Sequence, residues 1–134
     1  MMFERPLKVL FRHCDPAGLV FYPRYFEMLN DHVEAFFDHI GHPFEELHKQ
    51  RAVPTAEVSA TFHAPSRHGD ALTWALALTR LGRTSAGVEV SARAGAEMRA
   101  TFRSTLVLVD LNGAPVPWSE AQRGALAPYV KEKA

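Results

Sequence analysis

The sequence predicts an α+β fold in which one long helix packs on an antiparallel sheet of about five strands. Three observations lead to this class. Apolar residues recur with a helical period between Tyr22 and Ile40. Period-two alternation occurs in one segment before that helix and in four segments after Val53. The connections between these four segments are short, whereas parallel crossovers need a dozen or more residues. A helix on one face of such a sheet is an α+β layer arrangement.

Length, charge and cysteine content narrow the class of protein. The chain has 134 residues, which predicts a single domain over 1–134. Fifteen basic residues balance fifteen acidic ones, so no basic excess points to nucleic acid or to an anionic membrane surface. A single cysteine, Cys14, excludes an internal disulfide. The N-terminus lacks the apolar run of a signal peptide, and no stretch has the length of a membrane span, so we expect a cytoplasmic protein.

The first predicted element is a strand over Leu7–His13, because Leu7, Val9, Phe11 and His13 alternate onto one face. A cluster of turn-forming residues, Asp15–Gly18, follows it.

The long helix is predicted to begin near Tyr22, where Pro23 suits the first turn. Gly41 and then Pro43 suit its end. Its length is about 28 Å at about 1.5 Å per residue. The apolar stripe consists of Tyr25, Leu29, Val33, Phe36 and Ile40. A shorter helix is predicted over Phe44–Gln50.

Four strands are predicted after Val53, each with alternating apolar residues. Their apolar faces are Ala56, Val58, Ala60 and Phe62; then Leu72, Trp74, Leu76 and Leu78; then Ala86, Val88, Val90 and Ala92; and a long strand over Met98–Val109. The segment Trp118–Val130 is a weakly amphipathic tail. Because the helix covers only one face of the sheet, the opposite face would stay in contact with water, and we expect a second copy of the chain to associate with it.

Asp15 is the first candidate for chemistry. It lies between a predicted strand end and the helix that begins near Tyr22, whose first amides lack intrahelical partners and carry partial positive charge. Such amides polarise a carbonyl oxygen, and a carboxylate beside them can attack an acyl carbon or orient water. The alternative, which residue chemistry alone favours, is that Asp15 caps its own turn.

Other reactive residues are weaker candidates. Cys14 follows His13, but adjacent residues in a strand point to opposite faces, so a small buried thiol is the better interpretation. His39 and His42, with Asp38 nearby, have roughly helical spacing, but Gly41 ends the helix between them, so no metal site is predicted.

A local basic set remains within the neutral total. Arg80 and Arg83 flank a predicted turn that also contains Gly82, Thr84 and Ser85. Forked guanidinium donors beside hydroxyl groups suit phosphate binding. Solvated loop charges are the alternative, and the residues alone favour it.

The run from His13 to Phe26, HCDPAGLVFYPRYF, closely resembles the signature of the 4-hydroxybenzoyl-CoA thioesterase family. Members of this family are hot-dog fold acyl-CoA thioesterases, so the resemblance implies an antiparallel sheet wrapped around the long helix. It implies hydrolysis of an acyl-CoA to a carboxylic acid and free CoA, without metal or redox cofactor. It also implies edge-to-edge homodimers with active sites at the interface, and pairing of the dimers into a homotetramer.

The resemblance also assigns roles to residues. Asp15 is the catalytic carboxylate, as nucleophile or general base, and the backbone amide of Tyr22 polarises the thioester carbonyl. Gly18 permits close approach of the backbone to the ligand. The remaining substrate-binding candidates are Phe26 and Asn30 for the acyl group, and Arg83, Thr84 and Ser85 for the nucleotide and pantetheine arm of CoA.

The resemblance favours an aryl acyl group, because a related branch acting on short aliphatic acyl-CoAs carries histidine at the position of Tyr22. The turn Gly82–Ser85 is less basic than its counterpart in the aryl branch. Two alternatives stay open: a thioesterase for short-chain acyl-CoA or acyl-carrier-protein thioesters, and a non-catalytic acyl-CoA-binding protein of the same fold.

Overall fold

A computed structural model describes residues 1–131, so the last three residues of the predicted domain lie outside it. The elements are, in chain order, β1 (Phe3–Lys8), α1 (Tyr22–His39), α2 (Phe44–Leu47), β2 (Arg51–Ala52), β3 (Thr55–Phe62), β4 (Ala71–Leu81), β5 (Ser85–Ala94), β6 (Glu97–Val107), β7 (Val109–Asp110) and α3 (Glu120–Leu126). Five strands form an antiparallel sheet in the order β1-β4-β5-β6-β3, and β2 pairs with β7 separately. The predicted α+β class is confirmed.

Helix α1 supplies one side of the hydrophobic core. It has 18 residues, and its buried face is formed by Tyr25, Met28, Leu29, His32, Phe36 and Phe37. This face meets the sheet at Trp74 and Phe102, whose rings stack 5.6 Å apart between centroids. Burial of these side chains stabilises the layer, at about 1.5–3 kcal/mol for each large apolar side chain. The predicted helix and its start at Tyr22 are confirmed.

The first strand lies earlier in the chain than the alternation at Leu7–His13 predicts. Strand β1 spans Phe3–Lys8, and Phe11–His13 forms a 3-10 helical turn. The strand ends at Lys8 because its pairing partner, β4, begins opposite it at Ala71. Pro6 obscures the strand in the sequence, since proline cannot donate to a ladder and is tolerated only at a sheet edge, where β1 lies.

Strand β3 is the second departure from prediction. It pairs with β6 at the edge of the sheet, and two strands, β5 and β6, separate it from β4. The short connection 63–70 therefore joins β3 to a strand with which it does not pair, although short connections predict pairing. Of its predicted apolar face, Ala60 is partly buried against the core, whereas Val58 and Phe62 are 43% and 44% exposed. The predicted half-buried face is therefore only partly formed in the single chain, because Val58 and Phe62 line open cavities beside α1.

The remaining differences are local. The helix predicted over Phe44–Gln50 ends at Leu47, and the strand predicted over Met98–Val109 divides into β6 and β7. The tail contains α3, whose start is stabilised by reciprocal hydrogen bonds between Ser119 and Gln122. No helix within residues 1–131 is long and apolar enough to cross a membrane.

Candidate active site

The Asp15 carboxylate organises the loop between β1 and α1. Its Oδ1 accepts hydrogen bonds from the amides of Ala17 (2.9 Å) and Leu19 (3.2 Å). Gly18 has φ +80°, a left-handed conformation that glycine adopts without steric cost. Oδ1 therefore caps the turn that Asp15 begins, as the alternative interpretation of this residue predicts. Oδ2 accepts no hydrogen bond from any residue of 1–131, so one oxygen of the carboxylate is available for chemistry.

The same loop leads directly into α1. The amide of Phe21 donates to the carbonyl of His13 (3.0 Å), and this closes the loop so that Asp15 lies at the helix start. No side chain caps the helix, and Pro23 has no N–H to offer. The amide of Tyr22 makes no hydrogen bond within the described chain. The two predicted catalytic groups, the Asp15 carboxylate and this amide, are thus at one end of α1.

The segment between β3 and β4 supports this loop. The carbonyl of Ser66 accepts a hydrogen bond from the amide of Val20 (2.9 Å), and the carbonyl of Gly18 accepts one from His68 (3.2 Å). The Ser66 hydroxyl, which is 1% exposed with the rest of its side chain, accepts a hydrogen bond from the Tyr25 hydroxyl (2.8 Å). Sequence reasoning did not single out Ser66, because in the sequence it is one polar residue in a turn.

Arg99 holds that segment from β6. Its Nη1 lies 2.8 Å from Asp70 Oδ2, which also accepts a hydrogen bond from the Arg67 amide (2.9 Å). The Arg67 amide and the Arg99 guanidinium hold the pKa of Asp70 below its usual range, and the bond to Asp70 raises the pKa of Arg99. The pair is therefore charged at neutral pH. Sequence reasoning missed Arg99 as well, since nothing local distinguishes it from the other polar residues of its strand.

Three pockets adjoin α1 in the described part of the chain, and the largest, of about 620 Å³, is an open, charged surface groove along the helix that is lined by Phe26 and Asn30 together with Arg12, Arg24, Glu27 and Asp31. Another, of about 260 Å³, lies between α1, β3 and β6 and contains both predicted acyl-pocket residues. Its lining is Phe26, Leu29, Asn30, Val33, Phe44, Val53, Thr55, Val58, Ser104 and Leu106. The third, of about 350 Å³, lies at the helix start and is lined by Tyr22 and Tyr25, by Val20, and by residues 62–66. The structure thus places an apolar cavity with a few polar groups one to three turns along the helix from Tyr22.

The predicted CoA-binding turn lies elsewhere in the chain. Arg83, Thr84 and Ser85 connect β4 to β5, at the opposite end of β4 from the segment that supports the Asp15 loop. Strand β4 has 11 residues, so the two ends are roughly 33 Å apart at about 3.3 Å per residue. Within one chain the structure does not bring this turn to Asp15. The turn is held by a hydrogen bond from Arg123 to the carbonyl of Gly82 (2.6 Å), which sequence reasoning missed.

The other reactive side chains have structural partners. Cys14 Sγ lies 3.5 Å from the carbonyl of Leu10, and His13 Nδ1 accepts a hydrogen bond from the Leu10 amide (2.9 Å). Burial, and then the charge of Asp15, raise the pKa of the Cys14 thiol, while burial lowers the pKa of His13. His39 packs on Phe3, with ring centroids 4.9 Å apart. Within residues 1–131, no three His, Cys, Asp or Glu side chains are grouped to hold a metal ion.

A model of the thioesterase-like superfamily matches residues 9–126. The chain belongs to this superfamily. The match spans the Asp15 loop, α1 and the whole sheet except β1, and it identifies the chain as a thioester hydrolase. Comparison with curated protein sequences gave no significant match.

Solved structures of thioesterases share the fold. A 1,4-dihydroxy-2-naphthoyl-CoA thioesterase from Synechocystis has 19% identity and a TM-score of 0.88, with 95% of this chain and 96% of that chain covered. A gentisyl-coenzyme A thioesterase has 25% identity and a TM-score of 0.85, covering 92% and 99%. A Staphylococcus aureus protein determined in complex with CoA has 14% identity and a TM-score of 0.91, covering 100% and 89%. The predicted hot-dog fold is therefore confirmed for this thioesterase.

Proposed function

We propose that this thioesterase hydrolyses an aryl acyl-CoA, similar to 4-hydroxybenzoyl-CoA, to the free carboxylic acid and CoA. One observation carries the proposal: Asp15 Oδ2 and the Tyr22 amide lie at the same end of α1, and neither has a partner within residues 1–131. A carboxylate oxygen beside an uncapped helix N-terminus combines a nucleophile or base with a donor that stabilises negative charge developing on an acyl oxygen.

The proposed chemistry uses these two groups and water. The Tyr22 amide donates to the thioester oxygen, which makes the acyl carbon more electrophilic. In one route Asp15 Oδ2 attacks that carbon, the C–S bond breaks, the CoA thiolate leaves, and water hydrolyses the resulting mixed anhydride. In the other, Asp15 removes a proton from the attacking water. Both routes balance with water as the only co-reactant, so we propose a reaction without metal or redox cofactor.

The apolar cavity beside α1 is the proposed site for the acyl group. Its volume of about 260 Å³ equals roughly nine water molecules at about 30 Å³ each, which accommodates a single substituted ring. Phe26 supplies an aromatic wall, with its ring 5.8 Å from that of Phe102. Asn30 supplies a polar group that suits a polar substituent on the acyl group. Two of the similar structures are named as aryl-CoA thioesterases, which supports the aryl choice.

A complete site requires a second copy in this proposal. The exposed edge of β3 is available for pairing with another strand. At one end of β3, Phe62 contacts Tyr22, with 6.4 Å between the ring centroids. At the other end, Thr55 lies near Leu106 and the β4–β5 turn. Antiparallel pairing of β3 with the same strand of a second copy reverses its direction. The partner's β4–β5 turn then lies at the end where this chain holds Asp15.

This geometry gives the predicted CoA-binding residues a place in the reaction. Arg83 is exposed, and the Ser85 hydroxyl accepts a hydrogen bond from Arg80 (2.9 Å), so the turn presents guanidinium and hydroxyl groups together. We propose that Arg83, Thr84 and Ser85 of one copy hold the nucleotide and pantetheine arm while the other copy supplies the catalytic end. The homodimer is the smallest active unit, and we expect dimers to pair into a tetramer.

The experiment that tests the proposed function is a thiol-release assay on benzoyl-, 4-hydroxybenzoyl-, phenylacetyl- and short alkyl-CoA, with acyl-carrier-protein thioesters in parallel. The proposal predicts the highest kcat/KM for an aryl acyl-CoA, and a particle of two or four chains by light scattering. Preference for alkyl or carrier-protein thioesters would replace the aryl assignment. Binding of every ester without thiol release would show a non-catalytic acyl-CoA-binding protein instead.

A further inference from the structure

Arg99 connects β6 to the whole of the segment that supports the Asp15 loop. Its Nη1 donates to three oxygens of that segment, at 3.0 Å to Pro65 O, 3.1 Å to Ser66 Oγ and 2.8 Å to Asp70 Oδ2. Its carbonyl oxygen accepts hydrogen bonds from the amides of residues 63 and 64, at 2.8 and 3.3 Å. The Arg99 side chain is only 14% exposed, and its bonds to Ser66 and Asp70 are partly buried, whereas its bond to Pro65 O is exposed.

Ser66 joins this connection to the other two parts of the site. Its hydroxyl oxygen accepts hydrogen bonds from both Arg99 and Tyr25, and its carbonyl accepts one from the Val20 amide. Tyr25 lies in the first turn of α1, three residues after Tyr22. One buried serine thus has bonds to the sheet, to the helix start and to the loop.

From Val20 the connection reaches Asp15 through one residue. The amide of Leu19 donates to Asp15 Oδ1 (3.2 Å), and the carbonyl of Leu19 accepts from the Asp15 amide (2.8 Å). Ser66 is therefore connected by hydrogen bonds both to the loop that holds the carboxylate and to the first turn of α1, which begins at Tyr22. Misplacement of a reacting group by about 1 Å can cost about 100-fold in rate.

We propose that Arg99 is a positioning residue for hydrolysis, which fixes the Asp15 loop and the helix start relative to each other through Ser66. The inference rests on the proposed role of Asp15. A guanidinium suits this task, because its planar, multiply donating head can hold several oxygens in one geometry. Two carboxylates keep the head in place: Asp70 pairs with Nη1 at 2.8 Å, and Glu97, on β6 itself, pairs with Nε.

The test compares Arg99→Gln and Arg99→Lys with Arg93→Gln. Arg93 is a matched control because it also forms an ion pair across strands, to Glu4 at 3.1 Å, but has no hydrogen bond to the 63–70 segment. We expect Arg99→Gln to lower kcat at least tenfold with KM within threefold of wild type. Arg99→Lys should be intermediate, and Arg93→Gln should keep kcat within twofold.

Hydrogen exchange gives a readout that does not depend on activity. In Arg99→Gln, the Val20 amide should exchange at least tenfold faster than in wild type. The reason is that Ser66, whose carbonyl accepts the hydrogen bond of this amide, is no longer held by Arg99. The same amide should be unchanged in Arg93→Gln. If Arg99→Gln does not fold, Ser66→Ala removes the shared hydroxyl, leaves the Arg99–Asp70 pair intact, and should lower kcat about fivefold with the same acceleration of exchange.

The outcomes separate this inference from the proposed function. A wild-type enzyme that releases no thiol from any ester contradicts the proposed function, while the exchange rates still test the connection from Arg99 to the loop. An active wild type with kcat within twofold in Arg99→Gln overturns the positioning role alone. Faster exchange at Val20 without a change in kcat also overturns it, because the loop would then be held without effect on catalysis.

Discussion

Acidification should destabilise the folded chain through His32, which is fully buried on α1. Its Nε2 lies 3.2 Å from the carbonyl of Phe3 and its Nδ1 accepts a hydrogen bond from Arg5 Nε (3.4 Å), an arrangement that only the neutral imidazole satisfies. Burial, and to a lesser extent the charge of Arg5, lower the pKa of His32 from 6.5 to about 4, although the Phe3 carbonyl opposes this.

The sign and size of the effect follow from the two pKa values. The unfolded chain binds a proton at His32 below pH 6.5, whereas the folded chain binds one only near pH 4. Stability is therefore complete above pH 6.5 and is lost as the pH falls towards 4. At pH 5 this histidine is about 97% protonated in the unfolded chain and about 9% in the folded chain, so the free energy of unfolding is about 2 kcal/mol lower than at pH 7.5.

Urea unfolding followed by tryptophan fluorescence at pH 7.5, 6 and 5, at one fixed protein concentration, measures this loss. His32→Gln is the matched control, because it removes the titration while keeping a side chain that can donate to Phe3. His13 also has a lowered pKa, but it contributes equally in both proteins and cancels in the comparison. The loss between pH 7.5 and 5 should be about 2 kcal/mol greater in wild type. Parallel pH dependences in the two proteins would refute the reasoning.

Three further variants test individual residues. Gly18→Ala should lower the free energy of unfolding, measured with urea, by about 1–2 kcal/mol, because alanine is strained at the φ of +80° found there. An unchanged free energy of unfolding would show that the loop adopts another conformation. Cys14→Ala should keep kcat within about threefold in the thiol-release assay, since burial disfavours its thiolate; a loss of 100-fold would make the thiol a reactant. Arg83→Gln should raise KM about fivefold at unchanged kcat, equivalent to about 1 kcal/mol for an exposed charge pair, whereas equal KM in Arg83→Gln and Arg93→Gln would remove Arg83 from CoA binding.

The long helix could be predicted because its order is local. Apolar residues at three- and four-residue spacing, a proline in the first turn and a glycine after the last fix α1 without reference to the rest of the chain. Strand β1 could not be placed in the same way. Its limits are set by where β4 begins, a contact between Lys8 and Ala71 that lies more than sixty residues away in the sequence.

The residues of the candidate site likewise fall into those that a local motif predicts and those that only the tertiary structure brings together. Asp15, Gly18 and Tyr22 lie within one continuous run, so a motif finds all three. Ser66 and Arg99 reach the site only because the sheet order places β6 beside β3 and sends the connection 63–70 past the helix start. No period or motif in the sequence marks that order. The position of the turn 83–85, away from Asp15 within one chain, also follows from the three-dimensional fold, and the residues of the turn do not indicate it.

The most direct test of the central claim is the rate of thiol release by Asp15→Asn. Asparagine keeps an oxygen that accepts the amides of Ala17 and Leu19, so the loop retains its turn, but the charged oxygen is lost. Urea unfolding within about 1 kcal/mol of wild type would verify the fold. We expect kcat on the preferred acyl-CoA to fall about 100- to 10,000-fold. A folded Asp15→Asn enzyme with kcat within about threefold of wild type would contradict this expectation.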